Sequence, residues 1–100
     1  MKKRSYDVLV IGGYGHVGLP LGVVLADAGL QVALYDTDQQ RGEAIRRGRM
    51  PFLEYDAEPV LQRVLGRSLH VVETLEAAAK AAAILITIGT PQDEYLNPRL

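Results

Sequence analysis

With 100 residues, 48% hydrophobic and 23% charged, the chain has the composition of an ordinary globular protein, which excludes disordered and fibrous classes and leaves room for one domain with a modest core. Eleven basic residues oppose twelve acidic ones, for a formal charge of −1, so no global field gathers nucleic acid or an anionic membrane, and neither is expected as a partner. The absence of cysteine excludes a disulfide framework, a thiolate metal site and a cysteine nucleophile within these residues, and a cytoplasmic setting is expected.

Lys2, Lys3 and Arg4 read as a solvated tail, because the apolar stretch behind them, Val8–Ile11, is too short for the core of a signal peptide. Tyr6–Ile11 is rich in β-branched residues and predicts a strand. It runs into a turn holding Gly12, Gly13, Gly15 and Gly18, after which Val17, Leu21, Val24, Leu25 and Ala28 recur at helical spacing up to Gly29. Pro20 sits in the first turns of that helix, where its missing N–H costs little.

"LQVALYD" (30–36) predicts a second strand closed by Asp36. The next segment predicts a helix from an N-cap at Thr37 or Asp38 to a stop at Gly48. Residues 49–59 carry two prolines and no period, which predicts a loop leading into a short helix over Glu58–Leu65. "SLHVVE" (68–73) predicts a third strand, 74–82 an alanine-rich helix capped by Thr74, and 82–89 a fully apolar fourth strand. Strands alternating with helices predict an α/β, Rossmann-type parallel sheet with helices on both faces, order 3-2-1-4, corresponding to the first half of that fold.

Gly13, Gly15 and Gly18 form G-x-G-x-x-G between a strand and a helix. In that context the first glycine permits the tight turn, the second removes a Cβ that would collide with a pyrophosphate, and the third lets helix and strand pack closely. The amides of His16 and Val17, at the positive end of the helix dipole, are the expected anion donors. Asp36, at the end of the second strand, is placed to accept both hydroxyls of an adenosine ribose and to repel a 2′-phosphate, which favours NAD over NADP. Arg41, one helical turn on, is a candidate to cover adenine or ribose, with a solvated helix arginine as the simpler reading. Gly89, Thr90 and Pro91 follow the fourth strand at the expected switch point beside the glycine turn, either along a cofactor or as a simple Thr-Pro turn. Acid–base candidates are poor: His70 reads as a structural strand residue and Glu54 as surface charge. No catalytic or metal-ligating residue is assigned.

"GGYGHVGLPLG", "YDTD", "RRGRMPFLE" and "ITIGTPQD" occur in order, and in this set the chain resembles the N-terminal portion of the UDP-glucose/GDP-mannose dehydrogenase family, from about Val8 onward. The spacing of Gly48, Pro51 and Glu54 and the G-T-P at 89–91 separate it from 6-phosphogluconate and hydroxyacid dehydrogenases. The resemblance implies an NAD-dependent oxidation of a sugar C6 hydroxyl to a carboxylate in two hydride transfers, serving polysaccharide biosynthesis in the cytoplasm. The partners it implies are a nucleotide sugar and, in a homo-oligomer, further copies of the protein. By position it assigns Gly13, Gly15 and Gly18 to the pyrophosphate, Asp36 to the ribose, Arg41 to the family's basic residue five places on, and Thr90 with Pro91 to the cofactor loop.

Two departures stand out. His16 replaces a common tyrosine, and Val71, Val72 and Glu73 stand where the family often has threonines, leaving Thr74 as the nearest hydroxyl. Family members are several times longer, so residues 1–100 are expected to be a truncated NAD-binding domain, inactive alone, with the catalytic and sugar-binding parts absent. The competing expectations are a non-catalytic nucleotide-binding or interaction module and the N-terminal part of another NAD-dependent Rossmann dehydrogenase.

Overall fold

The computed structural model describes residues 5–52 and 57–87. Within them lie strands β1 (Tyr6–Ile11), β2 (Val32–Tyr35), β3 (Leu69–Val71) and β4 (Ala81–Ile86), helices α1 (Gly18–Asp27), α2 (Gln39–Arg46) and α3 (Ala57–Val64), and a 3₁₀ helix over Leu75–Lys80. The strands are all parallel and run in the order β3-β2-β1-β4, as the alternation of elements predicts. β1 is central: Val10 lies beside Leu34 of β2 on one side and Leu85 of β4 on the other.

The pleat sorts the strand residues into two layers. Val8, Val10, Val32 and Leu34 face Leu19, Val23 and Ala26 of α1, Ile45 of α2, and Leu61 and Val64 of α3. Leu9 and Ala33 face the other way, against Ala77 of the 3₁₀ helix. Each fully buried leucine of the larger layer contributes roughly 1.5–3 kcal/mol relative to exposure, and this layer is what fixes the sheet against α1. Helix ends follow local chemistry: Asp38 caps α2 by accepting the Arg41 N–H at 3.1 Å, and Gly48, past its end, has a carbonyl that accepts from Gln62 Nε2 at 2.9 Å.

Two expectations need correction. Residues 74–82 do not form an α-helix; Leu75–Lys80 form the 3₁₀ helix, with Thr74 Oγ1 accepting the Glu76 N–H at 3.3 Å, and Ala81 and Ala82 already belong to β4. The crossover must pass from the β3 edge to the β4 edge, three strand spacings or roughly 14 Å. Only six residues, Leu75–Lys80, lie between the Thr74 cap and β4, and the 3₁₀ form is the one used in such short pieces. The second correction concerns β4, which the apolar run predicts as buried on both faces. It is the sheet's outer strand, and Ile84 and Ile86 are 45% and 67% exposed. No helix among the described residues is long and apolar enough to cross a membrane.

Candidate functional site

β1 and β4 end level, with Ile11 paired to Ile86, and the chain leaves them at the switch point of the sheet. Gly12 follows β1 with φ 84°, a left-handed conformation that disfavours any side chain. The Gly12 and Gly13 N–H groups both donate to the Tyr35 carbonyl, at 2.9 and 3.0 Å, so the turn stays tied to the end of β2. The tight turn is therefore made by Gly12, not by Gly13 as the motif suggests. Gly13 serves packing instead: a Cβ there would come within 3.0 Å of the Leu34 side chain.

Gly18 lets α1 lie on the turn, since a Cβ would stand 2.2 Å from the Gly12 oxygen and 2.5 Å from Thr87 Oγ1. Gly15 differs from both. A Cβ there would have, among the described residues, only the Gly12 oxygen, 3.6 Å away, as a neighbour. Among the described residues nothing is gained by lacking a side chain at Gly15, so that space is left for something else. Beside it, the His16 and Val17 amides meet no acceptor among the described residues. α1 begins after Val17 with no side-chain cap and no acidic residue in its first turn, which leaves the positive end of its dipole uncompensated. Open amides, an uncompensated dipole and a missing Cβ together fit an anionic diphosphate.

Asp36 faces this turn. Its Oδ2 accepts the Tyr14 N–H at 3.1 Å, while Oδ1 accepts the N–H groups of Thr37 at 2.7 Å and Asp38 at 3.3 Å. Three donors hold a half-buried carboxylate in one orientation with lone pairs to spare, which suits it to accept ligand hydroxyls. Arg41 is turned onto the helix start, its Nε 3.5 Å from Asp38 Oδ2. A polar pocket of about 260 Å³ adjoins Asp36, lined also by Tyr14, by Gly42, Glu43 and Arg46 of α2, and by Glu73 after β3.

Tyr14 and Thr87 escape the sequence reading. Tyr14 is the variable residue between two motif glycines, yet its ring is buried under α2 against Gly42 and its hydroxyl donates to the Val72 carbonyl at 3.4 Å. Burial pushes the phenol up from its ordinary range, Arg46 pulls the other way, and the carboxylates of Asp36 and Glu73 add to the rise. The available signal was Gly42, a glycine inside a helix, where it costs about 1 kcal/mol relative to alanine and so marks a close contact. Thr87 Oγ1 lies 3.2 Å from the Ile11 oxygen and 3.1 Å from that of Gly12, fastening the end of β4 to the turn.

His16, exposed at the apex of the turn, stacks on Phe52 with ring centroids 4.2 Å apart. His70 is structural, as expected: its Nε2 lies 2.9 Å from Gln31 Oε1 and its ring tilts against Tyr6. The hydroxyl oxygen of Thr74 is engaged as a helix cap. Glu54, Gly89, Thr90 and Pro91 lie outside the described residues. Among the described residues no group of three or more histidine and acidic side chains is gathered that could hold a metal ion.

Residues 7–100 match the NAD-binding domain of the UDP-glucose/GDP-mannose dehydrogenase family. UDP-glucose 6-dehydrogenase of Pseudomonas aeruginosa is 34% identical over 88 residues, which are 86% of this chain and 19% of that protein. The structure of a UDP-glucose dehydrogenase from the hyperthermophilic archaeon Pyrobaculum islandicum superposes with a TM-score of 0.78 at 30% identity, covering 92% of this chain and 23% of the other. A UDP-N-acetyl-mannosamine dehydrogenase from Staphylococcus aureus follows at a TM-score of 0.76 and 28% identity, covering 88% of this chain and 21% of the other. The chain spans about a fifth of the length of these relatives.

Proposed function

Because the chain belongs to the UDP-glucose/GDP-mannose dehydrogenase family, as its NAD-binding domain, we propose that Gly15, His16, Val17 and Asp36 hold the adenosine diphosphate half of NAD. The protein it serves would oxidise the C6 hydroxyl of a UDP- or GDP-sugar to a carboxylate. The observation that carries the reading is the carboxylate of Asp36, fixed against the glycine turn by the Tyr14 amide at 3.1 Å while the neighbouring His16 and Val17 amides meet no acceptor among the described residues.

When bound, NAD supplies the acceptor for hydride. The residues of this chain bind and orient it: the missing Cβ of Gly15 admits the diphosphate, the His16 and Val17 amides neutralise its charge, and Asp36 fixes the ribose. Arg41 is the family's basic residue by position, and Gly89, Thr90 and Pro91 are assigned to the same cofactor by their place after β4. The nucleotide sugar is the substrate of the whole protein, which we place in the cytoplasm. Self-association as a homo-oligomer is supported by Ile84 and Ile86, exposed on the outer strand of the sheet.

An amide-shift titration of the chain with NAD and with NADP tests the reading. The expected shifts fall on residues 12–18 and 36, with NAD bound more tightly, and Asp36→Asn weakens NAD by about tenfold, the loss expected for a hydrogen bond to a charged group. Shifts confined to other surfaces, or tighter binding of NADP, would overturn it.

A further inference from the structure

Arg46 and Glu73 play no part in the reading above, yet they form the far wall of the pocket that adjoins Asp36. Arg46 ends α2, Glu73 follows β3, and Arg46 Nη2 meets Glu73 Oε2 at 2.8 Å. Among the described residues lining the pocket Arg46 is the sole cation, against the carboxylates of Asp36, Glu43 and Glu73. Asp36, Arg46 and Glu73 line this pocket together with Tyr14.

An arginine beyond the end of the second strand is what a Rossmann domain uses to accept a ribose 2′-phosphate, and guanidinium is suited to bind phosphate through two parallel N–H bonds. In this chain Arg46 lines the pocket beside Asp36, and its Nη2 is engaged by Glu73 Oε2. We propose that Glu73 is a specificity-determining residue: by engaging Arg46 it withholds the pocket's guanidinium from a 2′-phosphate, so that Asp36 and the Arg46–Glu73 pair together exclude NADP. This rests on the assignment of Asp36 to the adenosine ribose. Asp36 is common to the ribose site and the pocket, so a phosphate on the 2′ oxygen would be delivered beside the pair. There it would meet three carboxylates and a guanidinium with one nitrogen already engaged. The Glu73 side chain is 73% exposed, so the pair adds little to stability; its consequence is where it directs charge.

The test compares dissociation constants for NAD and NADP, measured by amide-shift titration of the whole chain in four forms: unaltered, Glu73→Gln, Glu73→Gln with Arg46→Ala, and Glu76→Gln. The last makes the same charge change on the 3₁₀ helix. Glu73→Gln is expected to lower the ratio of the NADP to the NAD constant about fivefold, the effect of one exposed charge pair. Arg46→Ala is expected to restore the ratio, and Glu76→Gln to leave it in place. The gain is expected to shrink as salt is raised, because the freed charge is solvent-exposed. An unchanged ratio in Glu73→Gln, an equal fall in Glu76→Gln, or a gain that survives Arg46→Ala overturns the proposal while leaving the NAD site intact. An unaltered chain that binds neither nucleotide at the glycine turn overturns both.

Discussion

Tyr14 and Gly42 occupy one space: a Cβ added to Gly42 would stand 2.8 Å from Cε2 of the Tyr14 ring and 3.2 Å from its Cζ. The contact joins the glycine turn to the middle of α2. Because the Tyr14 amide also donates to Asp36, one residue sets the turn, the helix and the carboxylate relative to one another.

That shared space predicts a change of sign. Gly42→Ala overpacks the contact, at about 1–3 kcal/mol, against about 1 kcal/mol gained in helix propensity, so the single variant is expected to be destabilised. With Tyr14→Leu removing the ring, the same Gly42→Ala is expected to stabilise by about 0.5–1 kcal/mol. Urea unfolding of the four members of this double-mutant cycle measures the coupling; equal effects of Gly42→Ala in both backgrounds would show that the ring does not limit α2.

Gly15 and Gly18 belong to one motif but are expected to fail differently. Gly18→Ala forces a methyl group to within 2.2 Å of a backbone oxygen, which cannot give way cheaply, and unfolding stability is expected to fall by about 3 kcal/mol or more. Gly15→Ala meets its nearest atom at 3.6 Å and is expected to keep the fold while losing NAD binding. Thermal melts beside NAD titrations separate the two; loss of fold in Gly15→Ala would remove the argument that its space is reserved for a ligand.

Thr87→Val keeps the shape of the side chain and deletes the hydroxyl shared between the Ile11 and Gly12 carbonyls. A loss of about 1–2 kcal/mol is expected, together with weaker NAD binding, because the Gly12 turn loses its fastening to β4. Thr87→Ser retains the hydroxyl and is expected to restore both. Hydrogen exchange at the amides of Gly12 and Gly13 reports the loosening directly.

The buried phenol of Tyr14 gives the protein an alkaline limit. Its pKa is raised in the fold, mainly by burial, above the value of about 10 it has in the unfolded chain. Above that pH the unfolded chain releases the proton first, so stability falls as pH rises from about 10 through the folded-state pKa, and is unaffected by this group below it. Urea unfolding between about pH 9 and 11 is expected to show this slope, and Tyr14→Phe to flatten it.

The strand-turn-helix order, the parallel sheet and the placement of Asp36 were legible because each is written locally: β-branched runs, glycines at fixed offsets, a carboxylate ending a strand. The roles within the glycine motif were legible only in part. Gly18 packs closely as its position suggests, whereas Gly12 takes the positive φ and Gly13 is shaped by Leu34, a residue from another strand. The 3₁₀ form of Leu75–Lys80 was illegible because alanine favours the α-helix, and the segment is cut short only where β4 begins at Ala81.

Amino-acid order alone determined the alternation of strands and helices, the place of the glycine turn, and that an acidic group stands at the end of β2, since propensity and periodicity act over neighbouring residues. Tertiary structure decided what those residues touch. Tyr14 under Gly42, Thr87 on the Gly12 turn and Glu73 on Arg46 are contacts between residues 27 to 75 positions apart, and no local pattern specifies a contact that exists only once the sheet has brought its strand ends together.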